Sequence, residues 1–269
     1  MSITRNSAPP SSPSTIVPPR YLMLFGAIAV ASGWLLLSVP PLLGLPLEPF
    51  ILATLGLGLV VPALVFSHRT PGMGARALLR GIVRLPHPTW ILIPSVLGIP
   101  VAVWSVASFV GVAMPIDPRR LLGLAIELLM SLIVVNIWEE MAWTGYFQGS
   151  AMAVRGVVMG SIVTALLFAA VHLPLALFGI ATWGDGALQL LILVSSAIGL
   201  RLAIGVLYTA AGGSILAVAM VHASFNTAGG LVTPGNDGIR IGVVITIGVV
   251  AAIIYVARRH RAHTPGRAR

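Results

Sequence analysis

Trp138-Glu139-Glu140-Met141-Ala142-Trp143-Thr144-Gly145-Tyr146 sets two adjacent carboxylates inside an apolar run that extends from Leu121 to Gln148. Such a run is long enough to cross a bilayer, which takes about 20 apolar residues in a helix. A charge near the middle of a membrane helix costs roughly 2.5 to 3.5 kcal/mol on insertion scales, so two in succession need partners or water. The stretch therefore reads as a membrane span and, by the same argument, as the first candidate for a functional site.

The rest of the chain has the same character. Of 269 residues, 57% are hydrophobic and only 9% charged, against about 25% charged in soluble domains. Candidate spans run from Tyr21 towards Pro40, then Phe50 to Phe66, Trp90 to Met114, Leu121 to Phe147, Val157 to Phe178, Ala187 to Ala210, Ser214 to Leu231 and Ile239 to Ala257. Turn residues separate them at Pro40-Pro41, Thr70-Pro71-Gly72, Pro115 to Pro118, Trp183 to Gly186, Gly212-Gly213 and Pro234 to Gly238. The expected fold is an all-α polytopic transmembrane helical bundle of about eight spans. It occupies residues 21–257, between a disordered head at 1–20, rich in Pro and Ser, and a basic tail at 258–269.

Eight spans return both termini to one side. On that side fall Arg5, Arg20, Arg69, Arg76, Arg80, Arg84, Arg155, Arg258, Arg259, Arg261, Arg267 and Arg269; only Arg119, Arg120 and Arg240 fall on the other. Basic residues mark cytoplasmic loops, so both termini are expected in the cytoplasm of a multi-pass protein of the cell membrane. The net charge of +9 is thus topological. It lacks the aromatic interleaving or binding module that nucleic acid would require, and nucleic acid is excluded as a partner. The segment from Arg69 to Arg84 is expected to meet anionic headgroups of the lipid bilayer. All sixteen basic residues are arginine, which with the Ala, Gly and Val content points to a high-GC, bacterial source. The absence of cysteine excludes disulfides, thiolate metal sites and a cysteine nucleophile.

Four charged residues remain inside spans: Glu127, Glu139, Glu140 and Arg201. Arg201 is a cation that could pair with one of the carboxylates or snorkel to the interface. Glu127 is either a buried hydrogen-bonded acid or part of a cavity wall. Two further polar groups stand in apolar helices: Phe168-Ala169-Ala170-Val171-His172, and His222-Ala223-Ser224-Phe225-Asn226. Residues four apart share a helix face, so His222 and Asn226 point the same way, and Phe168 packs one turn before His172. A lone membrane histidine is commonly an interhelical hydrogen bond. Two histidines, one asparagine and a glutamate pair on three spans point instead to a shared site.

In order, Glu139-Glu140 with Trp143, Gly145 and Tyr146, then Phe168 to His172, then His222 to Asn226 resemble the three-motif pattern of the CPBP family. These are the CAAX-protease and bacteriocin-processing intramembrane endopeptidases related to the Rce1-type prenyl-protein proteases. The resemblance covers roughly Leu121 to Leu231, and it implies hydrolysis of peptide bonds in membrane-associated or prenylated protein substrates. The family's first motif usually reads Glu-Glu-x-x-x-Arg, whereas Thr144 stands at the arginine position here. Arg201 could supply that charge from a neighbouring helix by pairing with Glu140.

Peptide hydrolysis needs an activated water, oxyanion stabilisation and a proton for the leaving amine. Glu139 as general base and His172 as second water ligand meet the first need, His222 and Asn226 meet the second, and Glu140 supports them, in a cavity expected to open to the cytoplasm. Alternatively Glu139, His172 and His222 could hold zinc with water as fourth ligand, although no H-E-x-x-H pair is present. The competing reading is a non-catalytic or proton- and ion-relay membrane protein built on the same polar residues.

Overall fold

A computed structural model describes residues 17–180 and 182–263. Most of the head (residues 1–16) and the end of the basic tail (264–269) lie outside it. Among the described residues nine helices follow one another: α1 Pro19–Leu43, α2 Glu48–His68, α3 Ala75–Ile82, α4 Thr89–Phe109, α5 Pro118–Arg155, α6 Val157–Leu177, α7 Trp183–Ala210, α8 Ile215–Leu231 and α9 Gly238–His263. Among the described residues there is no strand, only an isolated antiparallel bridge between Ala113 and Val232.

Seven of the nine helices are long and apolar enough to cross a membrane. The expected eighth span is α8, which is helical but shorter than a span. It lies inside the bundle with Ile215, Ala217, Val218, Ala219, Val221, His222, Ala223 and Ser224 all buried, so protein rather than lipid sets its length. It still runs from one side to the other. Ser214 at its start accepts from Ala217 N and donates to Arg84 O at 2.6 Å, while beyond its end Thr233 N donates to Val112 O at 3.0 Å.

Several helix ends depart from the sequence reading, each for a local reason. Helix α1 opens at Pro19, and Val17, assigned to the disordered head, is buried in the core. The helix also runs through Pro40-Pro41, where a break was expected, and ends at Gly44, whose φ of 64° gives the left-handed cap. Helix α7 begins at Trp183 because Thr182 Oγ1 accepts from Asp185 N at 3.2 Å, an N-cap that absorbs the expected loop. Helix α5 likewise starts at Pro118 behind the Asp117 cap.

The 38 residues of α5 exceed the expected span at both ends. They turn into α6 at Gly156, with φ 78°. Glu140 and His172 each lie sixteen positions from that turn, so both sit about 24 Å from it at 1.5 Å per residue. The two residues are therefore level in the bundle.

Candidate active site

Within α5 the residues Ile137–Glu140 form a short α-helical piece between two π-helical segments, Ser131–Asn136 and Met141–Gln148. Such wide turns shift the facing of the residues that follow and recur at functional sites. Here they frame the glutamate pair.

The two carboxylates have different surroundings. Glu140 is fully buried and its partners surround it: Arg201 Nη1 donates to Oε2 at 2.8 Å and His222 Nδ1 donates to Oε1 at 2.6 Å. The Thr144 hydroxyl donates to Oε2 as well, and Arg201 Nη1 reaches Thr144 Oγ1 at 3.4 Å. Arg201 is equally buried, so it does not snorkel. Its guanidinium lies over the Phe168 ring at 4.4 Å and near Trp143 at 5.9 Å, cation–π contacts that fit a desolvated cation. A buried pair needs further hydrogen bonds to offset its desolvation; His222 and Thr144 provide them to Glu140, whereas Arg201 Nε and Nη2 have no hydrogen-bond partner among the described residues and the guanidinium rests against aromatic faces. Glu139, by contrast, lies 3.9 Å from His222 Nδ1, meets His172 only through its charge, and faces a cavity.

Phe168 is the hub of the ring packing: it tilts against His172 at 4.3 Å and meets the edges of His222 and Trp143 at 5.8 Å each. His172 Nδ1 donates to Phe168 O at 2.8 Å. Both histidines therefore use Nδ1 for positioning, one on a carbonyl and one on a carboxylate, and keep Nε2 for chemistry.

The cavity is about 470 Å³, and Glu139, Phe168, His172, His222 and Asn226 all line it. Its remaining walls come from the halves of helices farthest from the termini: Ile51 and Thr54 on α2, Leu175 on α6, Gln189 and Ser196 on α7, and Arg240 on α9. Exposure rises in that direction, from buried Glu139 through half-buried His172 to exposed Gln189. Towards the termini the site is sealed. Ile215, Leu78 and Gly145 pack there, and a Cβ on Gly145 would lie 2.8 Å from both side chains. A cavity open to the terminal side, which the sequence reading combined with cytoplasmic termini, is thus corrected: it opens on the opposite face.

Among the described residues no group of three or more His, Asp or Glu side chains is placed, as it stands, to hold a metal ion. Glu127 is also corrected: it is exposed on α5 and does not line the cavity.

Sequence reasoning missed three polar residues. Asn136, one turn before Glu140, accepts from Ser131 Oγ at 2.6 Å and from Asn226 Nδ2 at 3.5 Å. Gln148, two turns after Glu140, donates to Ser161 Oγ at 3.0 Å and to Arg201 O at 2.9 Å, tying α5, α6 and α7 together at the ion pair. Both share the spacing of Glu140 along α5, which was the available signal. Arg240 was assigned to a loop.

Residues 121–228 match the family described as Type II CAAX prenyl endopeptidase Rce1-like. This segment resembles that family. It carries Glu139, Glu140, His172, Arg201, His222 and Asn226, and ends before Arg240. No curated protein matches the chain. Seven of its described helices are long and apolar enough to cross a membrane, which makes this a multi-pass membrane protein, and its residues 121–228 are similar to the family named above.

Proposed function

We propose that the protein is an intramembrane endopeptidase that cleaves membrane-associated or prenylated protein substrates with a water activated by Glu139. The observation that carries this reading is the asymmetry of the glutamate pair. Glu140 is held by Arg201, His222 and Thr144, whereas Glu139 stands at the cavity with its oxygens uncommitted at hydrogen-bond distance. A carboxylate that must take a proton from water needs a free oxygen. One that orients a histidine needs to be fixed.

In this mechanism Glu139 removes the proton from a water that His172 Nε2 also holds. His222, positioned through Nδ1 on Glu140, donates from Nε2 to the oxyanion beside the Asn226 amide. Glu139 then returns the proton to the leaving amine. Arg201 fills the electrostatic role of the arginine that Thr144 replaces in the motif.

The arginine distribution supports cytoplasmic termini in the cell membrane, and with that orientation the cavity faces the extracytoplasmic side. In a chain without cysteine, Gln189→Cys should react with an impermeant maleimide added to whole cells. Reaction only after the cells are opened would reverse the orientation.

The test of function is cleavage of a prenylated peptide and of membrane-protein fragments by purified protein, with products identified by mass. Wild type should cleave and Glu139→Gln should be slower by about 100-fold or more. Indistinguishable products from the two, with altered ion flux in Glu139→Gln, would establish the relay instead.

A further inference from the structure

The cavity wall contains a cation, Arg240, that the catalytic reading does not use. Arg240 stands at the start of α9 with its guanidinium over the Phe225 ring at 4.8 Å. One edge is occupied: Nη1 donates to Phe225 O at 3.3 Å and to Asn226 O at 3.4 Å, where it caps the carbonyl end of α8. The other edge is not. Nε is buried without a hydrogen-bond partner. Nη2 meets only Asp237 Oδ1 at 3.4 Å, and that carboxylate is 59% exposed.

Helix capping accounts for Nη1 alone. An arginine kept only as a cap would leave its second edge to solvent, but this one is only 22% exposed and lines the cavity, whereas Arg201 lies behind the wall on Glu140. The Nε and Nη2 edge is the fork with which guanidinium takes a carboxylate through two parallel bonds. A poorly held, mostly solvated Asp237 is a ligand that a better placed carboxylate can displace. Asn226 bonds to Arg240 through its carbonyl and lies one helical turn beyond His222.

Resting on the peptidase reading of this cavity, we infer that Arg240 is a specificity-determining residue that binds a substrate carboxylate on its Nε and Nη2 edge, close behind the scissile bond, and that Asp237 occupies this edge until substrate arrives. The carboxylate is either the chain terminus or an acidic side chain near it.

Binding of three fluorescein-labelled apolar peptides tests this, measured in detergent on protein carrying Glu139→Gln to prevent turnover. The first ends in a free acid, the second is its amide, and the third is an amide whose last residue is Glu. The acid should bind about tenfold more tightly than the amide. Adding Arg240→Gln should erase that preference while leaving the amide's affinity in place, which serves as the control for folding; Arg240→Lys should restore part of it. Adding Asp237→Asn should tighten the acid severalfold. The third peptide tells a terminal carboxylate from a side-chain one. Equal affinity for acid and amide, unchanged by Asp237→Asn, overturns the inference even if Arg240→Gln fails to fold. Cleavage of acid and amide alike by wild type would sink the carboxylate site and keep the peptidase. Preferential binding of the acid by a wild type that cleaves nothing would do the reverse.

Discussion

The half of the bundle nearest the termini and the half farthest from them are built on opposite terms. Near the termini Phe25, Trp143 and Tyr146 are fully buried, with the Phe25 ring against both of the others, and Ile215 closes over Gly81 and Gly145. Away from them the helices part around a cavity with polar groups in its wall. The glutamate pair sits at the boundary, with Glu140 belonging to the packed half and Glu139 to the open one. Adjacent residues, about 100° apart on a helix, can thus serve two purposes, because burial with full partnering fixes one charge and a cavity leaves the other free.

The largest expected effect comes from breaking the packed half at its ion pair. Arg201→Ala removes the cation beside Glu140 and should cost about 3 to 5 kcal/mol, read as a collapse of folded yield in detergent. Thr144→Arg in that background should recover part of the loss, since Thr144 Oγ1 already lies 3.4 Å from Arg201 Nη1. No loss on Arg201→Ala would mean that Glu140 does not need its partner. A smaller effect sharpens the contrast between the halves. Ile215→Ala should cost about 2 to 4 kcal/mol by leaving a void over Gly81 and Gly145, whereas Ile192→Ala in the cavity wall should cost less than about 1 kcal/mol. Equal destabilisation by these two substitutions would show that the far half is packed as tightly as the near one.

How much of this could be read from sequence depends on what each residue costs in an apolar setting. Glu139, Glu140 and Arg201 stand out because charges in membrane helices are expensive, and the pairing of Arg201 with Glu140 was foreseeable for the same reason. The two histidine motifs stand out by spacing. Asn136 and Gln148 were passed over because amides are far cheaper in such helices and mark no position by themselves. The π-helical segments of α5 have no composition of their own, yet they set where each carboxylate points. Helix ends were misplaced where a side-chain cap or a terminal proline pair overrode the expected turn, as at Thr182 and Pro40-Pro41. The face on which the cavity opens is a property of several helices at once, so no single stretch reports it. Arg240 was hidden for that reason, as its loop position says nothing about the wall it joins.

The division of labour between Glu139 and Glu140 is tested most directly by comparing Glu139→Gln with Glu140→Gln for thermal unfolding in detergent and for cleavage of a substrate that wild type accepts. Glu139→Gln should unfold at or above the wild-type temperature and lose cleavage by about 100-fold or more. Glu140→Gln should unfold several degrees lower, because Arg201 is left buried without its counter-charge, and should lose cleavage with it. Equal losses of stability in both variants, or full cleavage by Glu139→Gln, would contradict the account.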